Sequence, residues 1–203
     1  MARKFKKSKV SICVFCEGES EQAYIDFLKS EFHDVAVFKR PSSPGLFDDA
    51  DNRFKKDPGY RNYVDAIDEI WFFFDVEEKD IGNWTNRLEI IKRLRKLRKD
   101  PKIRVRLLMT TGCIEYWLML HYRHLAPSLL TVPDKERMLA QVVNMEPTYR
   151  KGNYDATARI AQNYPTAVKN ATIVLQNLLQ EGMPGLEDTD ERNRWLCTKC
   201  KTF

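Results

Sequence analysis

The sequence predicts an α/β fold: a mainly parallel sheet of four strands flanked by helices, with a C-terminal helical extension. Three observations lead there. Strand-sized apolar runs alternate with helix-period segments over residues 1–125. The first run, Val10–Cys16, is apolar at nearly every position, as in strands buried on both faces. Beyond residue 125 the pattern is helical, so 126–203 reads as an extension packed on the α/β part, the two forming one structural unit.

Each element has its own signal. The first strand stops at Glu17-Gly18-Glu19-Ser20, and Ser20 is the expected cap of a helix over 21–31 with Tyr24, Phe27 and Leu28 inward. Residues 35–39 form a second strand. Residues 41–59 hold Pro41, Pro44, Gly45, Pro58 and Gly59 among four Asp and read as a long surface loop, followed by a short helix over 60–67. Ile70-Trp71-Phe72-Phe73-Phe74 is the clearest strand and ends abruptly at Asp75. Residues 84–99 are helical, with Ile90, Ile91, Leu94 and Leu97 on one side and Lys/Arg on most of the other. A fourth strand spans 103–109. Helices follow over 114–123, 135–143 and 154–180, the last split or kinked by Pro165. Residues 182–190 are a loop, and a Trp195-to-Cys200 tail closes the chain.

Composition narrows the classes. With 203 residues, 43% of them hydrophobic, the chain can bury a full core, which excludes a disordered or disulfide-dependent miniprotein. No apolar run approaches membrane-spanning length, and the basic first residues lack the apolar core of a secretion signal, so a soluble cytoplasmic protein with no membrane partner is expected. Five cysteines form no regular framework. The net charge of +5 is unevenly spread: residues 1–10 hold five Lys/Arg and no acid, residues 87–106 are net +8, and the remainder is net −8. Two basic patches on an acidic body suit a polyanion such as nucleic acid. On the second patch Arg93, Lys96, Arg98 and Lys99 are the candidate phosphate contacts; a solvated helix face explains the same pattern.

The chemistry-bearing feature is a pair of acidic strand ends. The first strand runs into Glu17, Glu19 and Glu21; the third runs into Asp75, Glu77 and Glu78. In a parallel sheet the carboxyl ends point the same way, and the functional crevice lies there. Carboxylates crowded in one volume repel unless a cation neutralises them, and oxygen-only donors suit Mg²⁺ or Mn²⁺. Asp75 and Glu77 share a strand face and could hold one ion, with Glu17 across the cleft. Acids that merely open helices give the same residues without a metal. Glu115, inside the apolar stretch 114–120, needs a partner: the metal site or a salt bridge. His121 and His124 could assist or be ordinary core and surface residues, and Lys151 could grip a phosphate or be a solvated lysine. Cys197 and Cys200 have the spacing of half a zinc site, without a second pair. There is no Walker-type loop.

Several blocks resemble a known family. Val14-Phe15-Cys16-Glu17-Gly18-Glu19-Ser20-Glu21 looks like the opening of a Toprim domain, the catalytic fold of type IA and II topoisomerases, DnaG-type primases and OLD-family nucleases. Phe74-Asp75-Val76-Glu77 resembles its Asp-x-Asp motif, with Glu in the second position. Gly112-Cys113-Ile114-Glu115-Tyr116-Trp117-Leu118-Met119-Leu120-His121-Tyr122 resembles the NPCFE-WLLLHF signature of the RloB family, prokaryotic proteins often encoded in restriction–modification or abortive-infection loci. Tyr149-Arg150-Lys151 is similar to that family's Y-x-K block.

The resemblance implies a Toprim-like fold, a Mg²⁺ or Mn²⁺ site and a role in defence, with Glu17 as metal ligand or general acid/base. Asp75 and Glu77 would be metal ligands and Glu115 an orienting group. The expected function is metal-dependent nuclease-type hydrolysis of DNA or RNA. The alternative is a catalytically degenerate module that binds nucleic acid or a partner defence protein. A third reading, an enzyme acting on a small phosphorylated molecule, would need no basic helix.

Overall fold

The computed structural model of the protein describes residues 9–126, 129 and 131–199. Its centre is a four-stranded, all-parallel sheet in the order β2-β1-β3-β4, built from β1 (Val10–Cys16), β2 (Ala36–Lys39), β3 (Glu69–Val76) and β4 (Arg104–Thr111). The α/β class expected from the alternating pattern is what the chain adopts. β3 is central because it is apolar on both faces: Ile70, Phe72 and Phe74 are fully buried, and Phe73 is buried on the opposite side. In register, Phe15 sits beside Phe72 and Cys16 beside Phe73, while Asp75 pairs with Thr110.

One face is covered by α2 (Phe47–Lys56), α3 (Pro58–Arg61) and α4 (Trp84–Arg95). Phe47 stacks on Phe72 with ring centres 4.2 Å apart, and the Arg87 guanidinium lies 5.0 Å over Phe74. Burying each such aromatic contributes about 1.5–3 kcal/mol. The other face carries α1 (Glu19–Glu31) and α5 (Ile114–Leu120). Tyr24 of α1 meets Phe73 edge-on at 6.1 Å and Trp117 at 5.9 Å, and its hydroxyl is 3.1 Å from His121 Nε2. Outside these lie α6 (Val132–Met145) and α7 (Tyr154–Ala161), together with α8 (Tyr164–Gln180) and α9 (Asp190–Lys199). α7 packs on α1, α6 and α8 pack on α5, and α9 packs on α4.

Several elements differ from the sequence expectation. The stretch 41–59 is not a continuous loop. α2 forms there because Phe47, Ala50 and Phe54 fall on one helical face and are buried, while Asp49–Arg53 and Asp51–Lys55 pair one turn apart. Residues 60–67 hold only the end of α3 and a 3₁₀ turn over Val64–Ala66. The basic helix stops at Arg95 rather than residue 99, and the 114–123 helix at Leu120. Pro165 does split the 154–180 pattern, at the first turn of α8, where its missing N–H costs nothing. The tail is helical as α9, anchored where Asp190 receives both terminal nitrogens of Arg95 at 2.8 and 2.9 Å. The basic residues 1–8 and Cys200 lie outside the described residues.

Candidate functional site

The strand order places a switch point between β1 and β3: the chain leaves β1 through α1 toward one sheet edge and leaves β3 through α4 toward the other. Crossovers diverging from two adjacent strands leave a crevice at their carboxyl ends. Glu17 immediately follows β1, and Asp75 is the penultimate residue of β3, so both stand at that crevice. The ladder extends one residue past β1, with Glu17 N–H donating to Phe73 O at 3.0 Å. The exposed Glu17 carboxylate in turn accepts from the Asp75 N–H at 2.9 Å. The two acidic strand ends are thus tied to each other directly.

Two more carboxyls join them. Gly18 is the N-cap of α1, which puts Glu21 at its third position, with the carboxyl folded back over the helix start. A Cβ at residue 18 would lie 2.8 Å from Glu21 Oε2, so Gly18 leaves the room that this carboxyl occupies. Glu115 stands in the first turn of α5, is 1% exposed, and accepts from the Tyr149 hydroxyl at 3.2 Å; Lys151 Nζ is 3.9 Å away. The two sequence expectations for Glu115, a metal-site group or a salt-bridge acid, therefore meet in one place: it has a lysine nearby and borders the acidic crevice. The turn entering α5 depends on Gly112, at φ +72°, where a Cβ would fall 2.7 Å from the Leu129 carbonyl oxygen.

The electrostatics are those of carboxyls sharing a half-dry volume. Burial first, then Glu21, Glu17 and Glu115, push Asp75 from 3.8 up to about 8, against the Thr110 hydroxyl that donates to Asp75 Oδ1. Burial also pushes Glu21 up to about 7, with Glu17 and Glu115 adding to it and backbone N–H groups at Gly18 and Glu21 opposing it. Around neutral pH the cluster therefore holds protons that ordinary carboxylates have lost. A divalent cation is the other way to relieve such crowding, and carboxylate and hydroxyl oxygens are suitable donors for Mg²⁺ or Mn²⁺. Among the described residues, no three His, Cys, Asp or Glu side chains are already gathered into a metal-binding group. Glu17, Asp75 and Glu21 are the residues that would hold an ion, and they would have to draw together to do so.

The other sequence candidates are distributed unevenly. Glu77 is engaged elsewhere: its carboxylate pairs with Lys135 of α6 and caps the 3₁₀ turn Glu78–Asn83, whose Asp80 returns a bond to Glu77 N–H at 3.0 Å. Lys151 does lie at the acidic crevice. Its loop is held there by Gly152 N–H donating to Ser20 Oγ at 3.2 Å, so Ser20 secures this loop instead of capping α1. The basic set Arg93, Lys96, Arg98 and Lys99 lies at the end of α4 and just beyond it, near the amino edge of the sheet. Arg98 donates to the carbonyls of Asp65 and Pro101, and Arg93 pairs with Asp51. Lys96 and Lys99 are exposed. A strand the length of β3 separates this edge from the crevice, roughly 23 Å.

His121 is buried against Tyr24 and Trp117, and burial lowers it to about 4, so it is a neutral core residue; His124 is exposed. Cys197 is buried beside Met109, with the two sulfurs 3.3 Å apart. Glu21 and Tyr149 are the site residues that sequence reasoning left without a role, although both stand inside blocks it had singled out.

A family model described as RloB-like protein matches residues 12–197. No curated protein and no solved structure matches the chain.

Proposed function

The chain belongs to the RloB-like family, and from that premise we propose that it is a Mg²⁺- or Mn²⁺-dependent phosphodiesterase acting on DNA or RNA in a prokaryotic defence setting. The observation that carries this reading is the convergence of Glu17, Glu21, Asp75 and Glu115 at the β1/β3 crevice, with Lys151 beside them. A bound divalent ion would supply electrophilic stabilisation of the charge that develops on phosphate oxygens. Glu17, Asp75 and Glu21 would hold it.

Glu17, the exposed member, is the group placed to take a proton from an attacking water. Lys151 reaches from the solvent side and would pair with a non-bridging phosphate oxygen. Tyr149 keeps Glu115 oriented from within the core. The exposed lysines near the amino edge would contact only a substrate long enough to follow the side of the domain, in a largely sequence-independent and salt-sensitive way.

One observation favours a second reading, a module that binds nucleic acid or a partner defence protein without cleaving it: Lys135 occupies Glu77, the second acid of the motif. The two readings separate in one assay. Wild type and Glu17→Gln are incubated with generic single- and double-stranded DNA and RNA, with Mg²⁺, with Mn²⁺ and with chelator. The enzyme reading expects cleavage that needs metal and falls by about 10²-fold or more in the variant. Binding without cleavage under every condition would leave the module.

A further inference from the structure

The sheet face that carries the acidic crevice at its carboxyl end also holds an open cavity of about 560 Å³ nearer its middle. Trp71 and Phe73 of β3 form part of its floor, and Trp117 of α5 and Tyr164 of α8 stand in its walls. Its rim near β4 is different. Arg106, Asp188 and Arg192 meet there. Arg106 is already committed, donating to Glu69 at 2.7 Å and lying 3.7 Å from Asp188. Asp188 accepts in addition from Asn193 Nδ2 at 2.8 Å.

Arg192 has no such arrangement. Only 8% of it is exposed, and its Nε is buried with no hydrogen-bond partner. Burial lowers its pKa, and Asp188 is the charge that acts against this. A guanidinium taken from water without full pairing is costly; Nε is closed off, but Arg192 lines the open cavity, so an anionic group there would meet the accessible end of the guanidinium. Arg104, Arg106 and Arg192 face Glu69 and Asp188 in this neighbourhood, which leaves an excess of one positive charge.

We propose that this cavity binds a small organic anion with an aromatic body, its anionic group received by Arg192 and its ring packed among Trp71, Phe73, Trp117 and Tyr164. The apolar walls offer few hydrogen-bond partners to a polar body, whereas aromatic rings pack there edge-on or offset. A planar carboxylate or similar oxyanion matches the guanidinium fork. The cavity reaches Thr110, whose hydroxyl holds Asp75, but Arg106, which marks the rim where Arg192 stands, lies four residues earlier on β4, so the anionic group would sit away from the acidic crevice; the proposal stands whether or not the protein cleaves nucleic acid.

The test uses the full chain and two probes of the same shape, 2-naphthoate and the neutral 2-naphthalenemethanol, with binding read by calorimetry. A charged hydrogen bond to a buried guanidinium should favour the naphthoate by about 10-fold or more. Arg192→Met should abolish that preference. Leu175→Trp keeps Arg192 and fills the cavity from α8, and it should weaken naphthoate binding by a similar factor. Far-UV circular dichroism establishes that each variant is folded. Equal binding of the two probes, no binding of either, or a preference that survives Arg192→Met or Leu175→Trp in folded protein would overturn the proposal.

Discussion

Replacing Asp75 by Asn should stabilise this protein at alkaline pH, although Asp75 is a candidate metal ligand. Asp75 is raised from 3.8 to about 8 by burial and by Glu21, Glu17 and Glu115. Between those values the folded state holds a proton that the unfolded chain has lost. The stability linked to that proton is fully present below about pH 4 and is lost as the pH rises through about 8. At about 1.4 kcal/mol per pKa unit, the full cost of ionising Asp75 in place is bounded near 6 kcal/mol. Glu21 shares the repulsion, and an amide still has to be buried, so the net gain from Asn should be about 1–3 kcal/mol. That corresponds to a rise in Tm of roughly 3–9 °C for a chain of this size.

The Thr110 hydroxyl can donate to the Asn carbonyl oxygen as it does to Asp75 Oδ1, so the substitution removes charge while keeping that bond. The assay is thermal unfolding of both proteins in chelator across the range from about pH 4 to pH 9. The curves should meet at the acid end and separate as the pH rises, and millimolar Mg²⁺ should narrow the gap by stabilising the wild type. A variant less stable than wild type at the alkaline end, or offset equally at every pH, would refute the crowded-carboxylate account.

Three further outcomes are expected. Because protons and a divalent ion compete for the same carboxyls, with Glu21 raised to about 7 and Asp75 to about 8, the thermal shift that Mg²⁺ gives wild type should be larger at about pH 8.5 than at about pH 5.5; the reverse order would sink the competition. Gly112→Ala forces a Cβ to 2.7 Å from the Leu129 carbonyl at φ +72°, so urea denaturation should report a loss of about 1–3 kcal/mol, and a change within about 0.5 kcal/mol would show that the turn has room. Lys96→Met combined with Lys99→Met should weaken binding of long strands and flatten its salt dependence while leaving cleavage of short oligonucleotides within about twofold; an equal effect on both lengths would place those lysines at the crevice.

Legibility in the sequence followed the length scale of the force involved. β1, β3 and β4 were readable because a strand buried on both faces must be apolar throughout, and the acidic residues that stop β1 and β3 were visible as breaks in those runs. α2 was obscured because its three buried residues, Phe47, Ala50 and Phe54, are spread thinly among acids and bounded by proline and glycine. α9 was obscured because most of its residues are polar and only Leu196 and Cys197 enter the core as fully buried apolar side chains, with the Arg95–Asp190 pair at its start.

At the site, Glu17 and Asp75 could be inferred from strand ends alone, since neighbouring parallel strands must present those ends together. Whether Glu77 faces the crevice or Lys135 depends on where α6 lies, and no local pattern encodes that. The role of Ser20 misled for the same reason: a helix-start serine resembles a cap until the loop at Gly152 arrives to use it. The cations at the end of α4 and just beyond it are neighbours in the sequence, but only the direction of the crossover shows that they lie about a strand length away from the acids.

The claim that joins these observations is that the crevice between β1 and β3 is a divalent-metal centre. A crystal structure of the protein soaked in Mn²⁺, with data collected at the manganese absorption edge, tests it most directly. The account predicts one strong anomalous peak within coordination distance of both the Glu17 and Asp75 carboxylates, absent in Asp75→Asn. An empty crevice in which those carboxyls stay protonated, or turn to pair with lysine or arginine, would contradict it.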